Sequence, residues 1–198
     1  MRRPDSGRGF SLVELMMTVA LIGILAVIAL PSVMEALQRR EVVDAGEAVL
    51  GVVQYAQVQA ATRNRAMLVV PSLASGPGLP GSLRVFEGPT SACMNFDTTG
   101  ASIHDLDLQE NFPTVRLFQV DPGLTSTPLC MKPDGRVFIM RGNSPEIITS
   151  SYDYSGGDAR ISLQRINKLG RQEGPVHQVV VPFSGLARVV VKSPTVTP

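Results

Sequence analysis

Two cysteines, Cys93 and Cys130, and two histidines, His104 and His177, are the residues of this 198-residue chain best suited to metal or nucleophilic chemistry. Their spacing does not serve it. The chain has no Cys-x-x-Cys and no His-Glu-x-x-His, so a Cys2His2 zinc site would have to gather all four from distant positions without a local motif. Neither Gly76-Pro77-Gly78 nor Gly156-Gly157 opens a helix in a phosphate-binding pattern, and no Gly-x-Ser-x-Gly elbow occurs. We therefore expect no catalytic residues, no bound metal and no cofactor. If the domain lies outside the cytoplasm, Cys93 and Cys130 can pair and close a long loop; two buried free thiols are the other reading.

The charge with an unusual setting is Glu14. It stands at the head of an apolar run, Leu15 to Leu30, that contains no charged residue, Asn or Gln. A lone carboxylate inside a bilayer costs about 2.5 to 3.5 kcal/mol at the centre of a spanning helix, so Glu14 asks for a partner. Phe10 to Leu30, at 1.5 Å per residue, forms a helix of about 31 Å, close to the thickness of a hydrocarbon core. Arg2, Arg3 and Arg8 precede it against Asp5 alone, which keeps the N-terminus cytoplasmic. Two readings fit these residues. One is a retained membrane helix. The other is a secretory signal peptide cut after Ala29, which would release a soluble β-rich domain.

The remaining elements follow from periodicity. Val42, Gly46, Val49, Val53, Ala56 and Ala60 recur at spacings of four and three, with charged and amide residues falling elsewhere around the helix. This predicts one helix from Ser11 to Asn64, kinked or locally melted at Pro31, with Arg63 and Arg65 favouring its negative end. Beyond it, the 15 prolines and 18 glycines fall mostly after residue 70 and punctuate short apolar runs. Strands are expected at 66–70, 83–87, 115–120, 136–140, 147–154, 160–166, 176–181 and 186–192, with 88–113 as a turn-rich stretch. Lys132-Pro133-Asp134-Gly135 reads as a turn. Hairpins are expected at Ser155–Asp158 and Pro182–Gly185, and the valine triplets at 179–181 and 189–191 suit strands buried on both faces. The fold class is α+β, a long N-terminal helix packed on a mainly antiparallel β-domain.

The leader ending in Gly9, followed by Phe10-Ser11-Leu12-Val13-Glu14-Leu15, the apolar run and Pro31, resembles the N-terminus of type IV pilins and type II secretion pseudopilins. This resemblance implies that a prepilin peptidase cuts between Gly9 and Phe10 on the cytoplasmic side and methylates the new amine of Phe10. It makes Glu14 the fifth mature residue, paired with the N-terminal amine of a neighbouring subunit, and it gives Pro31 a place in the assembling helix. The extended β-domain is similar to minor subunits of the GspH, FimT and FimU type. The implied layout is a leader at 1–9, a transmembrane or filament-core half-helix at 10–37, and a periplasmic or extracellular globular domain at 38–198. The implied role is a minor pilin or pseudopilin, a non-enzymatic subunit of the bacterial inner membrane. It would prime a pilus or pseudopilus and sit near its tip, with the prepilin peptidase, other pilins and membrane lipid as partners.

Net charge is +1 over the whole chain, and loss of the leader, with three arginines and one aspartate, takes it to −1. That excludes a globally basic nucleic-acid binder. Locally, Arg160, Arg165, Lys168 and Arg171 fall within twelve residues free of acids, with Arg188 and Lys192 further on. Arg165, Lys168 and Arg171 are thus the candidate contacts for duplex DNA, in a second reading as the DNA receptor of a pilus. A charged strand edge that blocks unwanted pairing explains the same residues and is the favoured reading of the patch.

Overall fold

The structure, a computed structural model, describes residues 11–73, 80–121, 127–141, 144–146, 158–167 and 170–192. In chain order its elements are α1 (Leu12–Arg63), β1 (Met67–Ser72), β2 (Ser82–Glu87), β3 (His104–Asp107), α2 (Leu108–Asn111), β4 (Val115–Asp121), β5 (Leu129–Met131), β6 (Val137–Arg141), β7 (Ser144–Glu146), β8 (Ala159–Ile166), β9 (Gln172–Val181) and β10 (Arg188–Lys192). The class is α+β. Two compact units divide the chain at Arg39/Arg40.

In the first unit the helix carries no charged residue from Leu15 to Leu30, and its large apolar side chains from Leu12 to Leu37 are each 52–74% exposed. Its hydroxyls are satisfied within the helix. Thr18 donates to the Leu15 carbonyl and Ser32 to the Ala29 carbonyl, both at 2.8 Å, which hides the polar hydrogens from an apolar surrounding. Helical backbone passes through Pro31 without a break, so the local melting expected there does not occur. Proline removes one donor, and the bonds on either side hold the turn.

In the second unit α1 is amphipathic. Val42, Ala45, Val49, Val53, Ala56 and Ala60 are buried, together with Val52, and form one cluster with the inner faces of both sheets. Small side chains let the helix approach closely. A Cβ on Gly46 would lie 3.7 Å from Val189 Cγ1 of β10, and Glu41 accepts from Thr114 through both its backbone N–H (3.1 Å) and its hydroxyl (2.6 Å). The helix ends where Asn64 turns left-handed at φ 53° and Arg65 N–H reaches the Ala60 carbonyl at 3.3 Å, a Schellman cap. Arg63 and Arg65 then pair with Glu87 of β2.

Among the described residues one sheet has the order β3-β2-β1-β5-β6-β7 and the other β10-β9-β8-β4, with every pairing antiparallel. Period-two alternation sorts the first sheet. Met67, Val69, Leu83, Val85, Leu129 and Met131 face the common core, while Leu68, Phe86, Cys130 and Met140 form a second apolar cluster on the opposite face. The two sheets are tied where Val137 N–H donates to the Phe183 carbonyl at 2.8 Å and Arg136 bridges Ser184.

Several expectations are corrected here. The stretch 88–113 is not all turn: it carries β3 and α2, whose N-cap Asp107 accepts from Gln109 N–H at 2.7 Å. The three-residue β5 has no periodic signal, yet it lies buried between β1 and β6. The strand expected at 147–154 and the hairpin loop at Ser155–Asp158, as far as Gly157, lie outside the described residues; β8 itself is paired on one edge with β4 and on the other with β9. The valines differ too. Val179, Val180 and Val181 are buried, but Val190 and Val191 are exposed, since β10 is an edge strand. The Pro182–Gly185 hairpin is present between β9 and β10.

Cys93 and Cys130 are joined, with Cα atoms 6.0 Å apart. The bond fastens the segment after β2 to the centre of the first sheet. Closing a 37-residue separation stabilises a domain by roughly 2 to 4 kcal/mol, so Cys130→Ser should lower the unfolding free energy by about that amount in denaturant titration; an unchanged midpoint would contradict it. At the Lys132–Gly135 turn, Gly135 adopts φ 81° and Asp134 binds both the backbone N–H and the guanidinium of Arg136. Chiefly the Arg136 side-chain hydrogen bond holds the Asp134 carboxyl down at about 2. A depressed carboxyl stabilises above its unfolded value of 3.8 and ceases to do so as pH falls through the folded one. Thus Asp134→Asn should lower Tm at pH 7, and the gap from wild type should close between pH 4 and pH 2. A constant gap over that range would assign the effect to the turn rather than to the charge.

Candidate functional site

Glu14 lies in the first turn of α1. Ser11 precedes the helix, and its Oγ accepts from Glu14 N–H at 3.4 Å while its carbonyl accepts from Leu15 N–H at 3.1 Å. Ser11-Leu12-Val13-Glu14 is therefore a Ser-x-x-Glu start signal with the carboxylate at the positive end of the helix dipole. Sequence reasoning treated Glu14 as an anomaly in an apolar run and passed over this signal, which was legible. The dipole gives the carboxylate a local reason to be there. It does not supply a counter-charge.

Around Glu14, apart from the hydroxyls of Ser11 and Thr18, the helix offers apolar surface. Leu12–Leu30 is long and apolar enough to cross a membrane, and none of it is buried within the chain. By contrast, Val49, Val53, Ala56 and Ala60 on the same helix are fully buried. Exposed apolar surface of that extent is consistent with a membrane anchor. Gly9 and Phe10, the expected cleavage and methylation positions, lie outside the described residues, and of Pro31 only the helical backbone is described.

The other candidates go to separate uses. Cys93 and Cys130 bond to each other, so neither sulfur is a free thiolate. His104 packs on Tyr55 with ring centroids 4.8 Å apart. His177 is buried in β9 with its Nδ1 unpartnered, and burial lowers its pKa, which favours the neutral ring. Among the described residues no group of three or more His, Cys, Asp or Glu side chains gathers in metal-binding geometry.

The basic patch is not a free cluster. Antiparallel pairing of β8 with β9 sets Arg165 opposite Glu173. The Arg165 guanidinium lies 3.2 Å from the Glu173 carboxylate, which also accepts from Asn167 Nδ2 at 2.6 Å. The acid stands just two residues beyond the acid-free window, and the hairpin returns it. Arg188 likewise lies 3.8 Å from Asp158. Arg171 is exposed, and Lys168 lies outside the described residues. Charge neutralised by neighbouring carboxylates has little left for phosphates.

Among curated proteins no relative matches. The crystal structure of the type IV minor pilin FimU of Pseudomonas aeruginosa is similar over 79% of this chain and 95% of that one, with 16% identity and a TM-score of 0.43. Residues 6–30, a segment that contains Glu14 and the exposed apolar helix as far as Leu30, match the prokaryotic N-terminal methylation motif.

Proposed function

We propose that this chain is a minor pilin or pseudopilin, a structural subunit that primes assembly of a type IV pilus or a type II secretion pseudopilus and sits near its tip. The observation that carries the reading is the joint presence of the methylation motif over residues 6–30 and an apolar helix exposed from Leu12 to Leu37 with Glu14 in its first turn. Prepilin peptidase cuts between Gly9 and Phe10 and methylates Phe10. The helix is first held in inner-membrane lipid with its N-terminus cytoplasmic, then transferred into a bundle of other pilin helices, while residues 38–198 lie on the periplasmic or outer side. The disulfide supports that side, since disulfides persist in oxidising compartments.

Glu14 links the two environments. In lipid its carboxylate sits at the edge of the apolar run; in a filament it meets the amine of a neighbouring Phe10, and pairing offsets desolvation that neither charge tolerates alone. The subunit is non-enzymatic in this reading, because its chemistry is confined to what the peptidase does to it.

Two measurements test the proposal. Gly9→Val places a branched side chain where the peptidase accepts a small one, so the full-length precursor should accumulate in the membrane and mass spectrometry should find no N-methylated Phe10. Normal trimming of that variant would refute the cleavage assignment. Glu14→Ala should leave cleavage and insertion intact, because the run only becomes more apolar, while recovery with partner pilins from sheared filaments falls. Breaking a fully buried ion pair costs about 3 to 5 kcal/mol, so at equal expression the loss should be tenfold or more. Wild-type recovery would show that Glu14 serves only its own helix terminus.

A further inference from the structure

A cleft of about 300 Å³ opens on the face of the six-stranded sheet that points away from the helix. Its floor is Leu68 and Val70 of β1 and Met140 of β6; Phe96, from the segment after β2, also lines it. That segment is fastened in three ways. The Cys93–Cys130 disulfide ties it to β5. Ala66 N–H donates to the Thr90 carbonyl and Gly88 N–H to the Ala66 carbonyl, both at 2.8 Å. Phe96 lies so close over Gly88 that a Cβ there would meet Phe96 Cε1 at 2.8 Å and Ala66 O at 3.0 Å. The cleft is therefore preformed, and a ligand spends little binding energy on ordering it.

Three polar side chains also line it. Arg84, beside Val70 across the β1–β2 register and opposite Asp105 of β3, holds its guanidinium 5.4 Å from the centroid of the buried Phe86 ring, and among the described residues it forms no ion pair within 4.0 Å, with Asp105 or any other carboxylate. Asn95, in a left-handed backbone at φ 58°, and Thr98, both exposed, line the same cleft, and their side chains make no hydrogen bond among the described residues. An apolar floor with a cation beside it suits a group that is apolar at one end and anionic at the other. An amide and a hydroxyl, which both donate and accept, suit a peptide backbone and have no use for a bare hydrocarbon tail. The volume lies at the low end for ligand sites and limits the occupant to one or two residues.

We infer that this cleft binds the C-terminal residue of a partner polypeptide, taking its apolar side chain on Leu68, Val70 and Met140 and its carboxylate at Arg84. This site is independent of the leader and of Glu14. Any partner with a free, apolar C-terminus has the required chemistry.

The test uses the full chain in phosphatidylcholine nanodiscs with 13C-methyl-labelled methionine, Met140 being assigned through Met140→Leu. N-acetyl-Ala-Ala-Leu as the free acid should shift the Met140 methyl signal saturably. Its C-terminal amide, and the acid with the Arg84→Gln variant, should bind at least tenfold more weakly, while Arg188→Gln should behave as wild type. Absence of a Met140 shift at millimolar peptide, equal binding of acid and amide, or indifference to Arg84→Gln would each overturn the assignment. Binding of 4-methylpentanoate, which keeps the side chain and carboxylate without the peptide group, as tightly as the peptide would overturn the polypeptide occupant in favour of a small carboxylate.

Discussion

The globular unit depends on one narrow stripe of small residues. Val42, Ala45, Val49, Val53, Ala56 and Ala60 follow the helical repeat and are all buried at 4% exposure or less. Their size lets the two sheets approach the helix together, so that strand residues as distant in sequence as Leu83 and Val181 share one cluster with it. A large side chain in that stripe would have to displace strands of both sheets at once, because interiors are close-packed and have no slack to absorb it. Among the described residues direct links also join the two sheets, as between Val137 and Phe183 and between Arg136 and Ser184.

The same helix obeys opposite rules on either side of Arg39. Toward its C-terminus it is amphipathic and its apolar side is consumed by its own chain. Toward its N-terminus it is apolar on every side and no part of it is covered. An uninterrupted helix is compatible with both because its backbone hydrogen bonds are internal, which is the one arrangement that serves in lipid and in a packed domain alike. Glu14 belongs to the uncovered part. Its own helix terminus gives the carboxylate a favourable dipole, and a dipole end amounts to about half a charge.

The second apolar cluster, behind the first sheet, has a different character. It is small, anchored by a disulfide rather than by a helix, and formed by the alternate residues of the strands that fill the main core. Leu68 and Cys130 are directly paired across β1 and β5, so the disulfide crosses to the same face that carries the cleft. Covalent closure does here what burial does on the other face.

The sequence by itself determined the helix, its division into an apolar and an amphipathic half, the motif at Gly9 to Glu14, and most strands, because those signals reside in a few consecutive residues. Leu12–Arg63 came within one residue at each end of the expected helix. Only the tertiary structure decided which strands share a sheet, that β8 pairs with β4 and β9, that three residues at Leu129–Met131 form a central strand, and that the two cysteines meet. Each of these is a contact between positions far apart in the chain, and no local propensity encodes such a partner. The basic patch illustrates the limit most sharply. Counted along the chain, Arg165 lies within twelve residues, 160–171, that hold no acid; folded into the β8–β9 hairpin, it faces Glu173 directly, because an antiparallel turn brings into register residues that a linear window separates.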